Sequence, residues 1–137
     1  MIPNVGHFPR VGSRVLVAWN DRREASRATF DALPFLQAAR DVRMLWVNPE
    51  AEMDDKGDVP CADIAASLAR HGVKCTTAQS RGSDLGVADE LLNRAADYGS
   101  DLLVMGAYGH RRFREFVFGS ATRCILQHMT VPVLMSH

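Results

Sequence analysis

No stretch of this 137-residue chain approaches the eighteen or so consecutive apolar residues needed to cross a bilayer, so no membrane partner is expected. The segment from Met1 to Arg10 also lacks the basic region and apolar block of a secretory leader. Cysteine is sparse and odd in number. Cys61, Cys75 and Cys124 show no C-x-x-C spacing, which argues against a disulfide framework or a structural zinc site. An excess of one charge is missing too: 16 Lys and Arg balance 16 Asp and Glu. That removes the broad electrostatic argument for a nucleic-acid partner, so an anion or nucleotide site would have to be local. Repeats and low-complexity segments are absent. The expectation is a single cytoplasmic domain, long enough for one substantial core and short for two.

Dedicated catalytic or metal chemistry is equally hard to find. His71, His110, His128 and His137 have no ligand-like spacing, so no metal site is expected. Ser26 and Ser120 lie in no G-x-S-x-G elbow, and the cysteines have no recognisable activating context, which leaves no nucleophile to name.

What is present is an alternation of short apolar runs and amphipathic segments. Residues 1–12 carry two prolines and two glycines without periodicity and read as an arm or linker remnant before a domain at 13–137. Arg14 to Trp19 is the first predicted strand, ending at Asn20 and Asp21. A helix is expected from Arg22 to about Arg40, with Ala25, Ala28, Leu33, Leu36 and Ala39 inward, a kink at Pro34, and a capping box between Asp21 and Glu24. Asp41 to Val47 reads as the second strand, Glu50 to Asp58 as an acidic loop, and Pro60 to about His71 as a helix stopped by Gly72. Val73 to Gln79 is polar enough for an edge strand. Leu85 to Tyr98 is the next helix, Asp101 to Met105 a buried fourth strand, and Val131 to Met135 a fifth, after a helix running to about Met129.

Strands alternating with helices over short connections imply α/β architecture with a doubly wound, five-stranded parallel sheet. In such sheets ligands bind beyond the carboxyl ends of the strands, where the winding reverses. If it reverses after the third strand, Asn20 and Gly106 flank one crevice.

The fourth strand leads into the most informative stretch. Gly106 and Gly109 are followed, after an excursion, by Gly119 and Ser120, which open the last helix. Glycines let the main chain turn sharply and approach an anion, and the amides at a helix start favour phosphate. The excursion carries His110, Arg111, Arg112 and Arg114, which could neutralise phosphates, alongside Phe113, Phe116, Val117 and Phe118, which would make the arginines merely its solvated side. A tight turn and a glycine-started helix explain the glycines without any ligand.

Gly106, Gly109, Gly119 and Ser120 match every specified position of the G-x2-G-x9-G-[S/T] signature of the universal stress protein domain, which the chain resembles from Ser13 to His137. The wording of Val15 to Trp19, Glu24, Ala25 and Ala28, and of Val131 to Leu134, is similar to the family as well. The resemblance implies a Rossmann-like sheet, close to that of the adenine nucleotide α-hydrolases, in the order 3-2-1-4-5. It also implies a stress-response regulator that binds ATP or a related adenine nucleotide; Mg²⁺ commonly accompanies ATP phosphates, but the sequence singles out no protein ligand for it. By the same resemblance adenine lies near Ala18, Asn20 and Val47, the glycines and Ser120 hold ribose and phosphates, and two copies form a homodimer through strand 131–135. Asn20 departs from the family's usual aspartate, exchanging a carboxylate for an amide with one acceptor oxygen and two donors. Asn20 and Asp21 also read as helix caps. The chain further resembles the second half of tandem members of the family. An interaction module without nucleotide, and a slow ATPase, are the alternative functions. The loop of ATP-cleaving relatives, Ser-Gly-Gly-x-Asp-Ser, has no counterpart in Asn20 to Glu24.

Overall fold

The computed structural model describes residues 8–47, 61–80, 86–107 and 120–137. Five strands form one parallel sheet: β1 (Arg14–Trp19), β2 (Asp41–Val47), β3 (Thr76–Ser80), β4 (Leu102–Gly106) and β5 (Val133–Ser136). Their spatial order is β3-β2-β1-β4-β5. The helices among the described residues are α1 (Arg23–Asp31), α2 (Leu33–Ala38), α3 (Ala62–Arg70), α4 (Val87–Asp97) and α5 (Ser120–His128). The doubly wound order expected for the chain is the order observed, with the winding reversed between β3 and β4.

The two faces bury separate cores. Alternate residues of the central strands, Val15, Val17, Met44, Leu102 and Val104, face Ala25, Ala28, Leu36, Ile64 and Leu68 of α1 to α3. The intervening ones, Leu16, Leu45, Leu103 and Val133, face Ala88, Leu91, Ala95 and Ile125 of α4 and α5. A strand covered on both faces must be apolar throughout, and β4 has Leu102, Leu103, Val104 and Met105 all buried. The polar β3 lies at one edge with Thr76, Thr77 and Gln79 exposed, as its composition suggested. At the other edge is β5, entered through Pro132, whose carbonyl accepts the Leu103 N–H at 3.0 Å. A proline there costs the ladder no donor that β4 needs.

Two expectations near α1 are corrected. No capping box forms at Asp21: the helix starts at Arg23, its N-cap is Arg22, and no side chain caps it. Asp21 takes a left-handed φ of 55°, so the chain turns once more before becoming helical. The long helix to Arg40 is instead two helices. α1 ends at Asp31, and α2 begins with Pro34 in its first turn, where a missing N–H leaves no hydrogen bond unmade. Gly72 and Gly99 follow α3 and α4 with φ of 78° and 59°, the left-handed stop expected after each helix. The acidic loop predicted over residues 50–58 lies outside the described residues.

At the amino ends of the strands, Asp101 fixes the start of the domain. Its carboxylate accepts the N–H groups of Gly12 at 3.1 Å, Ser13 at 3.1 Å and Arg14 at 2.9 Å. Val11 packs against the first core.

Candidate nucleotide site

The register of the sheet determines which predicted residues meet. Val17 pairs with Val104, so Trp19 stands level with Gly106 and Asn20 follows at the carboxyl edge. Ala18 pairs with Leu45, and Val47 lies two residues further along β2 on the same face. Ala18 and Val47 are both half-buried against the core beneath α4 and α5. The sheet therefore brings Ala18, Asn20, Val47 and Gly106 to one carboxyl edge. Small and branched apolar side chains suit a flat base there, and α5 opens with Ser120 as its first residue.

Gly106 has a structural role of its own. A Cβ at this position would stand 2.7 Å from the Ala25 amide nitrogen and 2.7 Å from the Glu24 carbonyl carbon. Only a residue without a side chain lets the first turn of α1 settle onto the end of β4. This glycine therefore keeps α1 on one face of the strand ends, whereas Ala18 and Val47 belong to the opposite face. A cleft of about 330 Å³, lined by Arg23, Glu24, Arg27, Ala107 and His137, thus lies on the α1 side, opposite the face that carries Ala18 and Val47.

Asn20 is exposed, and its Oδ1 accepts the Arg22 N–H at 3.2 Å. Its acceptor oxygen serves the turn into α1, and an amide carries two donor hydrogens besides. Gly109, His110, Arg111 and Gly119 lie outside the described residues, as does the side chain of Ser120.

Beyond Val47 the structure contributes residues that sequence reasoning missed. Val47 pairs with Ser80, the last residue of β3. The Ser80 hydroxyl donates to Glu90 Oε1 of α4 at 2.5 Å, and Arg94 Nε donates to the same oxygen at 2.8 Å. Glu90 is only 8% exposed. The Ser80 hydrogen bond, then that of Arg94, holds its carboxyl below the ordinary carboxylate range against the opposing effect of burial. The signal was present: a Glu on the inward stripe between Val87 and Leu91, with an Arg four residues on.

The thiols show no activation. Burial, reinforced by Cys75 and Asp21, pushes Cys61 up to about 11. Burial also raises Cys75, and burial with the nearby Asp89 carboxylate raises Cys124. Among the described residues no cluster of three His, Cys, Asp or Glu could hold a metal ion, and no helix is long and apolar enough to cross a membrane.

Residues 18–137 match the model of the Universal stress protein family. Universal stress protein Slr1230 of Synechocystis sp. is 45% identical over 51 residues, 36% of this chain and 18% of that protein, so the chain spans less than a fifth of that relative's length. The structure is similar to that of hypothetical protein MJ0577, a protein whose biochemical function was assigned from its structure (TM-score 0.78, 21% identity, 93% of this chain and 96% of the other). It is also similar to a universal stress protein from Archaeoglobus fulgidus in complex with dAMP (TM-score 0.65, 16% identity, 90% and 97% covered). At these identities the structural likeness carries the fold alone.

Proposed function

Since the chain belongs to the universal stress protein family, we propose that it is a cytoplasmic regulator that takes up ATP or another adenine nucleotide at the carboxyl edge of β1, β2 and β4. The observation that carries this reading is the register that brings Ala18, Asn20, Val47 and Gly106 to one edge, with α5 opening at Ser120 beyond it. The dAMP complex of the Archaeoglobus fulgidus protein supports an adenine nucleotide as the ligand class. In this reading Ala18 and Val47 flank the base. The amides around Gly109, Gly119 and Ser120 take the phosphates, assisted by His110 and Arg111 and accompanied by Mg²⁺ where a triphosphate binds. Regulation requires only that nucleotide bind one conformation, or one partnered state, better than another. A homodimer through β5 is the proposed partnered state, because among the described residues β5 is the last strand on its side of the sheet.

Isothermal titration tests the reading. ATP binds the wild-type protein, and replacing Gly109 or Gly119 by valine removes binding while the melting temperature is kept. Absence of binding at millimolar ATP overturns it. The second reading, an interaction module without nucleotide, draws on Asn20, whose acceptor oxygen is engaged by Arg22. Mass spectrometry of the gently denatured protein separates the two, since a co-purifying adenine nucleotide contradicts the second.

A further inference from the structure

The cleft of about 330 Å³ on the α1 side is charged, and the nucleotide reading above leaves its charges without a task. Two guanidiniums from one helix line it. Arg23 and Arg27 stand four residues apart on α1, which places like charges on neighbouring turns of the same face. Such a pair weakens a helix unless something negative lies between its members.

The carboxylates at hand do not fill that role. Among the described residues Arg23, which is exposed, makes no hydrogen bond or ion pair. Glu24 lines the same cleft, yet it pairs with neither arginine, and its Cβ lies 2.9 Å from the place a Gly106 Cβ would take, at the end of β4. Arg27 approaches Asp31 Oδ2 only at 3.9 Å, with both side chains more than half exposed, a contact of little strength. The same Asp31 oxygen accepts the Ser136 hydroxyl. Ala107 and His137, beyond the ends of β4 and β5, complete the lining. Ala107 is buried, and its N–H donates to the Ser136 carbonyl at 2.8 Å. That wall is therefore fixed main chain, whereas the arginines are exposed side chains that can close on a ligand.

We propose that this cleft binds a phosphate dianion, free or as the monoester of a small molecule, between Arg23 and Arg27. Two planar forks match the oxygens of a tetrahedral phosphate, and two negative charges neutralise two guanidiniums. Glu24 stands beside the anion as a like charge and holds the affinity down. The volume is at the small end of the range for ligand sites, about 300–1,000 Å³, which suits a phosphate bearing a few carbons rather than a whole nucleotide. The cleft lies opposite the face of Ala18 and Val47, so this phosphate site is additional to the one proposed for the nucleotide.

Nitrogen-15 spectra of the arginine Nε–H groups test this, with inorganic phosphate and glycerol phosphate titrated at constant ionic strength against sodium chloride. The signals missing from Arg23→Gln and Arg27→Gln identify the two side chains. In wild type both shift saturably, half-maximally near about 1 mM. Each arginine variant weakens phosphate about tenfold, as measured on the remaining signal. Glu24→Gln tightens it by about threefold through removal of the like charge, a direction that damage to the fold does not produce. Equal binding of the two phosphates assigns the site to esters, and a clear preference for the inorganic ion assigns it to free phosphate. An unsaturable response, or one that chloride reproduces, overturns the inference. The response persists in saturating ATP. Its loss there overturns the additional site and favours the nucleotide reading, because the cleft is then the nucleotide's own phosphate pocket. A protein that binds phosphate but no ATP keeps this inference and loses the other.

Discussion

Asp101 and Arg14 hold each other twice: the Asp101 carboxylate accepts the Arg14 N–H at 2.9 Å, and the Asp101 N–H donates to the Arg14 carbonyl at 2.9 Å. The same carboxylate takes the N–H groups of Gly12 and Ser13. One side chain thus satisfies three main-chain donors at the entry to the central strand.

Asp101→Ala should accordingly destabilise the fold by about 2–3 kcal/mol, since hydrogen bonds to a charged group contribute more than neutral ones and the two part-buried donors lose their acceptor. Urea unfolding followed by far-ultraviolet circular dichroism measures this. An unchanged midpoint would show that water replaces the carboxylate without loss.

Gly106→Ala should reduce stability by about 1–3 kcal/mol through overpacking against Glu24 and Ala25. The alternative, a glycine required only for a ligand, predicts wild-type unfolding with impaired binding. Thermal melts in the absence of nucleotide decide between them.

The Glu90 carboxyl gives a pH signature. Its folded value is depressed by Ser80 and Arg94 below the unfolded value of about 4.3. The contribution to stability is therefore complete above that unfolded value and is lost as pH falls through the lower folded value. Glu90→Gln should be about 1–2 kcal/mol less stable than wild type at pH 7. The gap should close on acidification from about pH 5 downward. Urea midpoints of both proteins across that range provide the check, and a gap that widens in acid would contradict the assignment.

Much of this molecule could be read from its sequence because buried parallel strands announce themselves. β1 and β2 were bounded to the residue by their apolar, β-branched runs, and β4 needed a shift of only one position. The strand order came from family resemblance, since nothing local in β1 and β4 says that they are neighbours. The entry to α1 misled for a definite reason: Asp and Asn tolerate left-handed backbone, so Asp21 added a turn and Asn20, rather than Asp21, bonds ahead to Arg22. At the site, Ala18, Asn20, Val47 and Gly106 were legible because they end strands beside a recognisable motif. Ser80 and Glu90 were not, because a serine in a polar edge strand looks solvated until the helix it faces is known.

The interleaved order of the sheet also governs how the chain reaches it. β1, β2 and β3 can pair as they are made, but β4 must return to the centre and join β1, a contact spanning 87 positions between Arg14 and Asp101. Closing a loop of that length costs about 4 kcal/mol of chain entropy before the contact yields anything. The chain must bear that entropic cost before the middle of the sheet is complete, and until β4 docks one flank of β1 is without its strand partner.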